Sequence, residues 1–460
     1  MRDSRSAAIA PGASLFGSQR CRPWWRNPVL WIVLLAYAIR LAVILAHHTY
    51  LFASIFPSVQ HLNGAYGFET GSIAAAVARG EGFSSPFYRP TGPTTWIAPV
   101  YPYICAAFFK LLGGFTHTAA VLVLCLNSLF SALTAAVIYK IAARISGPGL
   151  GLWSAFAWAV GFWFWPTFAL WDTSLSALLV ALGVLFALQI EGEASSKKWF
   201  GFGAFWGVAL LTNPALLTVF GLSLAWLYYR TRRQRPANLR SIALAVLACI
   251  VVITPWLVRN RIVFGEFVFI RGNFGYEFYL GNHAPLQRFD PVTMHPAGNK
   301  AEFAKYKSMG EVAFIADKKR EALNFVRQHL KDFLVLTAMR MVWFWDNTST
   351  SYLARLNSPP QDLLLFMYFS VLAFVGLGTA LVRRIPAAGL FAVVMLLYPW
   401  PYYVTYTQNR YRHAIEPLMV IVSAYFVLEV IRAVQVKINK KAPAGQLKAS
   451  NAVSAARTCA

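Results

Sequence analysis

Charge is what this sequence has least of. Of its 460 residues only 13% are Asp, Glu, Lys or Arg, and only 18 are acids. Soluble domains carry about a quarter charged residues. With 57% hydrophobic residues and a mean hydropathy of +0.50, the chain is not an ordinary soluble domain. Its repeated apolar runs approach the length that crosses a bilayer, so it reads as an all-α polytopic membrane protein. Cysteine is sparse and scattered: Cys21, Cys105, Cys125, Cys249 and Cys459 form no C-x-x-C. Neither a disulfide framework nor a zinc site is indicated. No G-x-x-x-x-G-K-[ST] occurs, which disfavours an ATP-driven pump. Gly201, Gly203 and Gly207 lie inside an apolar run, where small residues serve helix packing. No D-x-D is present to hold a metal-bound nucleotide-sugar; Glu191-Gly192-Glu193 is the nearest mimic, on the cytoplasmic side. No internal repeat of fixed period is visible. The first apolar run lacks an A-x-A site after it, so it reads as an anchor rather than a cleaved signal.

Lys and Arg, by contrast, are plentiful, and the net charge is +24. In a soluble chain that would suggest nucleic acid. Here it follows from the positive-inside rule, which concentrates Lys and Arg on cytoplasmic loops and tails, and no nucleic-acid partner is expected. That rule orients the chain. Residues 1–27 carry Arg2, Arg5, Arg20, Arg22 and Arg26 and form a cytoplasmic tail. Spans are expected at about 28–48, 119–139, 149–165, 173–190, 199–211, 215–229, 239–257, 361–382, 386–402 and 414–434. Ten spans, with 28–434 as one membrane domain and a basic tail over 435–460, put both termini in the cytoplasm of a plasma (inner) membrane protein. Two long intervals then lie outside: a first loop over about 49–118 and a segment over about 258–360 with two or three helices. Pro99 to Leu112 is expected to lie along the membrane surface, as is Phe333 to Trp345, because a span there would place Arg383-Arg384 outside.

All eight histidines, and every acid except Asp3, Glu191, Glu193 and Glu429, fall on the outer side or its interface. The chemistry is therefore expected outside. The organising stretch is Tyr66 to Lys110, the first long polar interval. Its Glu69 sits between aromatics and an Ala-rich helix. Partial burial would raise this carboxyl toward the working pH and make it a base; an acid in a first helical turn also simply favours the dipole. Glu81 lies in a Gly-Glu-Gly turn and reads equally as a solvated acid. Arg89 and Tyr101 belong to the same interval. Asp172 opens a span, where N-capping explains it, yet it is one of few acids at the outer boundary. Arg40, within the first span, is either paired or faces a polar cavity. Arg259, Arg410 and Arg412 lie at headgroup depth, where a guanidinium fork fits a phosphate or any anionic lipid. Asn282-His283 could hold a hydroxyl or a metal, but one His without a partner is a weak ligand set.

These pieces occur in order: FETGSIAAAVARGEGFSSPF, PTTWIAPVYPY, TPWLVRNRIVFGEFVFIRGNFGYEFYLGN and NRYRHAIEP. Together they resemble the bacterial family-39 type glycosyltransferases, of the GT-C class of integral membrane enzymes, with the protein O-mannosyltransferases and the aminoarabinose transferase of lipid A. The resemblance covers about residues 30–430. It implies a GT-C-like bundle of about ten spans with a large first outer loop and a small outer segment between spans 7 and 8. It implies a hexosyl- or pentosyltransferase that takes sugar from a polyprenyl-phosphate donor and passes it, with inversion, to a lipid, glycan or protein acceptor outside. The family's first-loop acid maps onto Glu69 and its phosphate-binding cations onto Arg259 and Arg410 or Arg412. Many relatives have an Asp or an Asp-Glu pair where this chain has one Glu, which leaves use of a divalent metal ion open. A lipid flippase or transporter and a surface-polysaccharide polymerase or ligase are the rival readings; a transporter predicts broken spans in matching halves, which are not seen.

Overall fold

A computed structural model of the chain describes residues 27–51, 68–87, 89–161, 167–232, 238–283, 291–346, 360–408 and 410–441. Most of both expected tails, and Trp163-Phe164-Trp165 of the expected outer aromatic turn, lie outside the described residues. Among the described residues there is no strand, only an isolated bridge between Ser84 and Pro93.

The helices run α1 (Pro28–Ala46), α2 (Phe68–Ala78), α3 (Val100–Leu112), α4 (His117–Val160), α5 (Thr173–Ile190), α6 (Ser196–Thr212), α7 (Leu217–Thr231) and α8 (Asn238–Phe264). Then come the outer helices α9 (Phe274–Gly281), α10 (Pro291–Met294), α11 (Lys300–Met309), α12 (Glu311–Gln328) and α13 (Leu330–Asp346). The chain returns through α14 (Pro360–Val382), α15 (Ala388–Leu397), α16 (Trp400–Val404) and α17 (Glu416–Lys441).

Among the described residues six helices are long and apolar enough to cross a membrane, with two shorter apolar stretches at Val100–Leu112 and Ala388–Val404. Reaching the expected ten requires counting α6, α7, α15 and the two arms of α4 separately. Those arms meet at Ser146-Gly147-Pro148, where Gly147 takes φ 82° and Pro148 has no N–H to continue the ladder. The two expected spans at 119–139 and 149–165 are thus the two helical arms on either side of this break. The segment expected outside differs from expectation: among the described residues it holds five helices rather than two or three. Polar stretches such as Lys300–Met309 and Glu311–Gln328 are separated by single breakers, here Gly310 at φ 78°.

Two cores result. The larger fills the bundle, with Trp158, Trp199 and Trp206 fully buried. The smaller is an aromatic cluster built from Phe87, Trp96, Tyr276, Tyr306, Phe314 and Tyr406. It fastens the first loop to the outer helices.

Arg40 settles into the bundle without a cavity. It is fully buried and donates to Ser131 Oγ at 2.9 Å and to the carbonyls of Ala36, Ala159 and Trp158 at 2.8, 3.2 and 3.3 Å. The last two belong to the final turn of α4, where carbonyls lack helical partners and a cation is favoured.

The glycines of α6 explain one contact. A Cβ at Gly203 would land on the Ala245 carbonyl of α8, and one at Gly207 would meet Val252. At Gly201 the nearest atom would be Phe186 Cζ at 3.7 Å, an ordinary contact. Gly203→Ala should therefore push α6 from α8 and cost about 1–3 kcal/mol, while Gly201→Ala should be tolerated. Thermal unfolding of both variants in detergent checks this, and equal midpoints would contradict the packing.

Candidate active site

The site grows from α2. Its residues Thr70 to Ala76 are buried, and their small side chains let this short helix sit deep against α3. Glu69, in its first turn, points out of the packed helix and is partly exposed. Partners from distant segments hold it. His295 Nε2 lies 3.0 Å from Glu69 Oε1, and the Trp96 indole N–H donates to the same oxygen at 3.2 Å. The Ala297 amide donates to His295 Nδ1 at 3.1 Å, so a neutral ring carries its proton on Nε2 and gives it to Glu69. Burial alone would push the Glu69 carboxyl up. The hydrogen bond from His295, backbone hydrogen bonding and the charge of Arg410 outweigh it and hold the carboxyl down at about 2. The expectation of a raised carboxyl is thereby corrected: partial burial is present, but the compensating partners win.

Trp96 is itself wedged. Its ring meets Phe87 and Tyr276 at 4.8 Å each, Tyr306 at 5.9 Å and His295 at 6.1 Å. Its carbonyl accepts from Arg271 Nε at 3.0 Å, and Arg271 also pairs with Glu277 at 2.5 Å. Arg271 lines a small cavity of about 40 Å³, together with Thr70, Tyr101, Asp172, Asn213 and Ile97. Asp172 Oδ2 accepts from Ser176 Oγ at 3.0 Å and Asn213 Nδ2 at 2.9 Å, and its side chain makes no hydrogen bond as an N-cap. Tyr101 donates to Asn127 at 2.9 Å. Arg410 lies within electrostatic reach of Asp172 and Glu69, with its guanidinium 4.3 Å from the Trp171 ring centroid. Its buried Nε has no hydrogen-bond partner among the described residues.

Of the sequence candidates, Asp172 and Tyr101 line one hollow, and Arg410 lies within electrostatic reach of Asp172 and Glu69. The other sequence candidates lie elsewhere. Arg259 donates to the carbonyls of Thr94 and Phe83 at 2.9 Å each and stacks on Trp256, so it clamps the first loop onto α8. Arg412 is buried in the bundle, bonded to the Trp345 carbonyl at 2.7 Å and paired with Glu416 at 3.1 Å. Asn282 joins α9 to the Val404 carbonyl and accepts from Arg340. His283 bonds the Tyr279 carbonyl and borders a separate cleft with Glu321, Phe325 and His329. Arg89 is exposed, 5.7 Å from the Phe303 ring centroid. Glu81 is exposed in its turn, bridged by Arg79 at 2.7 Å. His295, Arg271, Trp96 and Asn213 were missed as site residues. Two stood in the quoted segments PTTWIAP and IRGNFGYEF, but no spacing ties any of them to Glu69. No group of three or more His, Cys, Asp or Glu side chains that could hold a metal ion occurs among the described residues.

This architecture has known counterparts. Residues 95–258, about a third of the chain, match the family described as dolichyl-phosphate-mannose-protein mannosyltransferase. The oligosaccharyltransferase of Archaeoglobus fulgidus, solved with Zn and sulfate, aligns with 90% of this chain at a TM-score of 0.52 and 15% identity. Its complex with an inhibitory peptide and a dolichol-phosphate aligns with 94% at 0.51 and 13% identity. The chain has the GT-C glycosyltransferase fold. It spans about half the length of those archaeal enzymes, 50% and 54% respectively. ArnT from Cupriavidus metallidurans bound to undecaprenyl phosphate aligns with 86% of this GT-C chain and 78% of its own length, at 0.39 and 15% identity. No curated protein matches the sequence.

The depressed Glu69 carboxyl has a measurable consequence. Its folded value lies below the ordinary 4.5, so its partners stabilise the fold above that pH, and the contribution fades as pH falls from 4.5 toward about 2. The stability gap between the native chain and Glu69→Gln should be constant above pH 4.5 and close on acidification. Unfolding in detergent across pH measures it; a gap that widens in acid would contradict the assignment.

Proposed function

We propose that the protein transfers a sugar from a polyprenyl-phosphate carrier to an acceptor at the outer face of the plasma (inner) membrane, with both termini in the cytoplasm. The observation that carries this is an ionised carboxylate, Glu69, within electrostatic reach of two guanidinium groups, Arg271 and Arg410, of which Arg271 lines a hollow with Asp172 and Tyr101. The similar archaeal enzyme is known in complex with a dolichol-phosphate, and the matched family is described by a dolichyl-phosphate sugar donor. Both support a lipid-phosphate donor here.

The chemistry follows from the charges. As the bond from the anomeric carbon to phosphate breaks, the sugar gains oxocarbenium character and the phosphate gains negative charge. Arg410 and Arg271 stabilise the departing phosphate. Glu69 accepts a hydrogen bond from the attacking hydroxyl and aligns it on the opposite face. A carboxylate held near 2 takes little proton from a free alcohol. It takes the proton late, once the new C–O bond has made the attacking oxygen cationic and strongly acidic. Displacement from the face opposite the phosphate inverts the anomeric centre, and no covalent sugar-enzyme intermediate is required.

The test uses purified protein in lipid nanodiscs with radiolabelled undecaprenyl-phosphate sugar, following label into acceptors and water. Glu69→Gln should lower transfer by about 100-fold or more while the donor still binds. Arg410→Lys, which loses the planar fork, should raise the donor KM. Full transfer by Glu69→Gln would remove it from the mechanism. Label that crosses a vesicle bilayer without leaving its carrier would favour the flippase.

A further inference from the structure

Glu311 stands outside the hollow yet ties its wall to the outer helices. It opens α12 and is 6% exposed, and among the described residues no cation forms an ion pair with it. Its oxygens accept four hydrogen bonds instead. Oε1 takes the Thr95 amide at 2.6 Å and the Thr95 hydroxyl at 2.7 Å; Oε2 takes the Tyr306 hydroxyl at 2.8 Å and the Thr94 hydroxyl.

The direction of these bonds matters. An ionised carboxylate only accepts, so both threonine hydroxyl protons must point at it. The Thr94 oxygen then keeps its lone pairs for the Trp96 amide, which donates to it at 3.0 Å. The Trp96 indole in turn donates to Glu69. A directed chain therefore runs from the first turn of α12 through Thr94 and Trp96 to the Glu69 carboxylate. A glutamine at 311 would present an N–H₂ to one side of this network, compete for the Thr94 oxygen and release the Trp96 amide. Gly272 closes the strip from behind: its amide donates to the Thr95 carbonyl at 2.9 Å, and any side chain there would strike the Thr95 hydroxyl.

We infer that Glu311 is a positioning residue for sugar transfer: through Thr94 and Thr95 it fixes Trp96, and Trp96 fixes Glu69. The inference rests on the role of Glu69 proposed above.

A double-mutant cycle tests it, read as transfer kinetics well below each variant's unfolding temperature. Glu311→Gln should lower kcat by about tenfold or more, since small misplacements at a reacting centre are costly, and leave the donor KM unchanged. Glu311→Asp, which keeps an acceptor-only group, should recover part of the loss. Trp96→Phe removes the indole donor, and adding Glu311→Gln to it should cost nothing further, because both act through one contact. Glu69→Gln, read by residual donor hydrolysis, serves as a second background with the same expectation. Losses that multiply in either background would overturn the inference, as would a Glu311→Gln protein that melts earlier but turns over normally. An inactive Glu69→Gln beside multiplying losses rejects this inference alone. Full activity in Glu69→Gln rejects the functional reading and the inference together.

Discussion

The Thr94–Trp96 strip has neither helix nor strand to satisfy its backbone, and buried backbone groups must be paired. The site is arranged around supplying those partners. Arg259 takes the Thr94 carbonyl, Gly272 the Thr95 carbonyl, Arg271 the Trp96 carbonyl, and Glu311 the Thr95 amide. Each comes from α8 or from the segment that follows it. The first loop is therefore shaped by chain more than 160 residues away. Without the outer helices the indole that steadies Glu69 would have no fixed position.

Arginine does two different jobs in this molecule. Arg40, Arg340 and Arg412 are buried and saturate carbonyls where helices end or break: Arg40 at the end of α4, Arg340 at Gly281, Tyr403 and Val404, Arg412 at Trp345. Five donors in a rigid fork suit a cluster of carbonyls as well as a phosphate. Arg271 and Arg410 differ in their surroundings. Arg271 borders open space in the hollow, and Arg410 retains a buried N–H that no described residue accepts. Arg412 likewise keeps a buried Nη2 without a hydrogen bond among the described residues, though Glu416 pairs with it, so it is the open space beside Arg271 that sets that guanidinium apart.

The hollow itself balances opposite charges at short range. Arg271 feels the charges of Glu277 and Glu69, and Arg410 those of Asp172 and Glu69, all in buried surroundings. Interactions of this kind are stronger there than in water. This is also why Glu69 stays ionised despite its burial. Arg271 is tied to Glu277 and Glu69 to His295, so Arg271 and Glu69 do not pair directly with each other.

The sequence by itself determined the fold class and named the stretch from which the candidate site is built. These follow from hydropathy, from Lys and Arg bias and from local composition, all of which act over tens of residues. It also named Glu69, Asp172 and Arg410 among the candidate side chains. Only the tertiary structure decided which arginine faces the hollow: Arg259 and Arg271 are twelve positions apart in one quoted segment, and Arg410 and Arg412 are two apart, yet each pair divides its roles. Only it decided the protonation of Glu69, because His295 arrives from 226 positions away. The reason is physical. Hydrophobic patterning fixes which elements are buried, whereas a hydrogen bond depends on ångström-scale approach between segments whose separation in the chain carries no periodic signal.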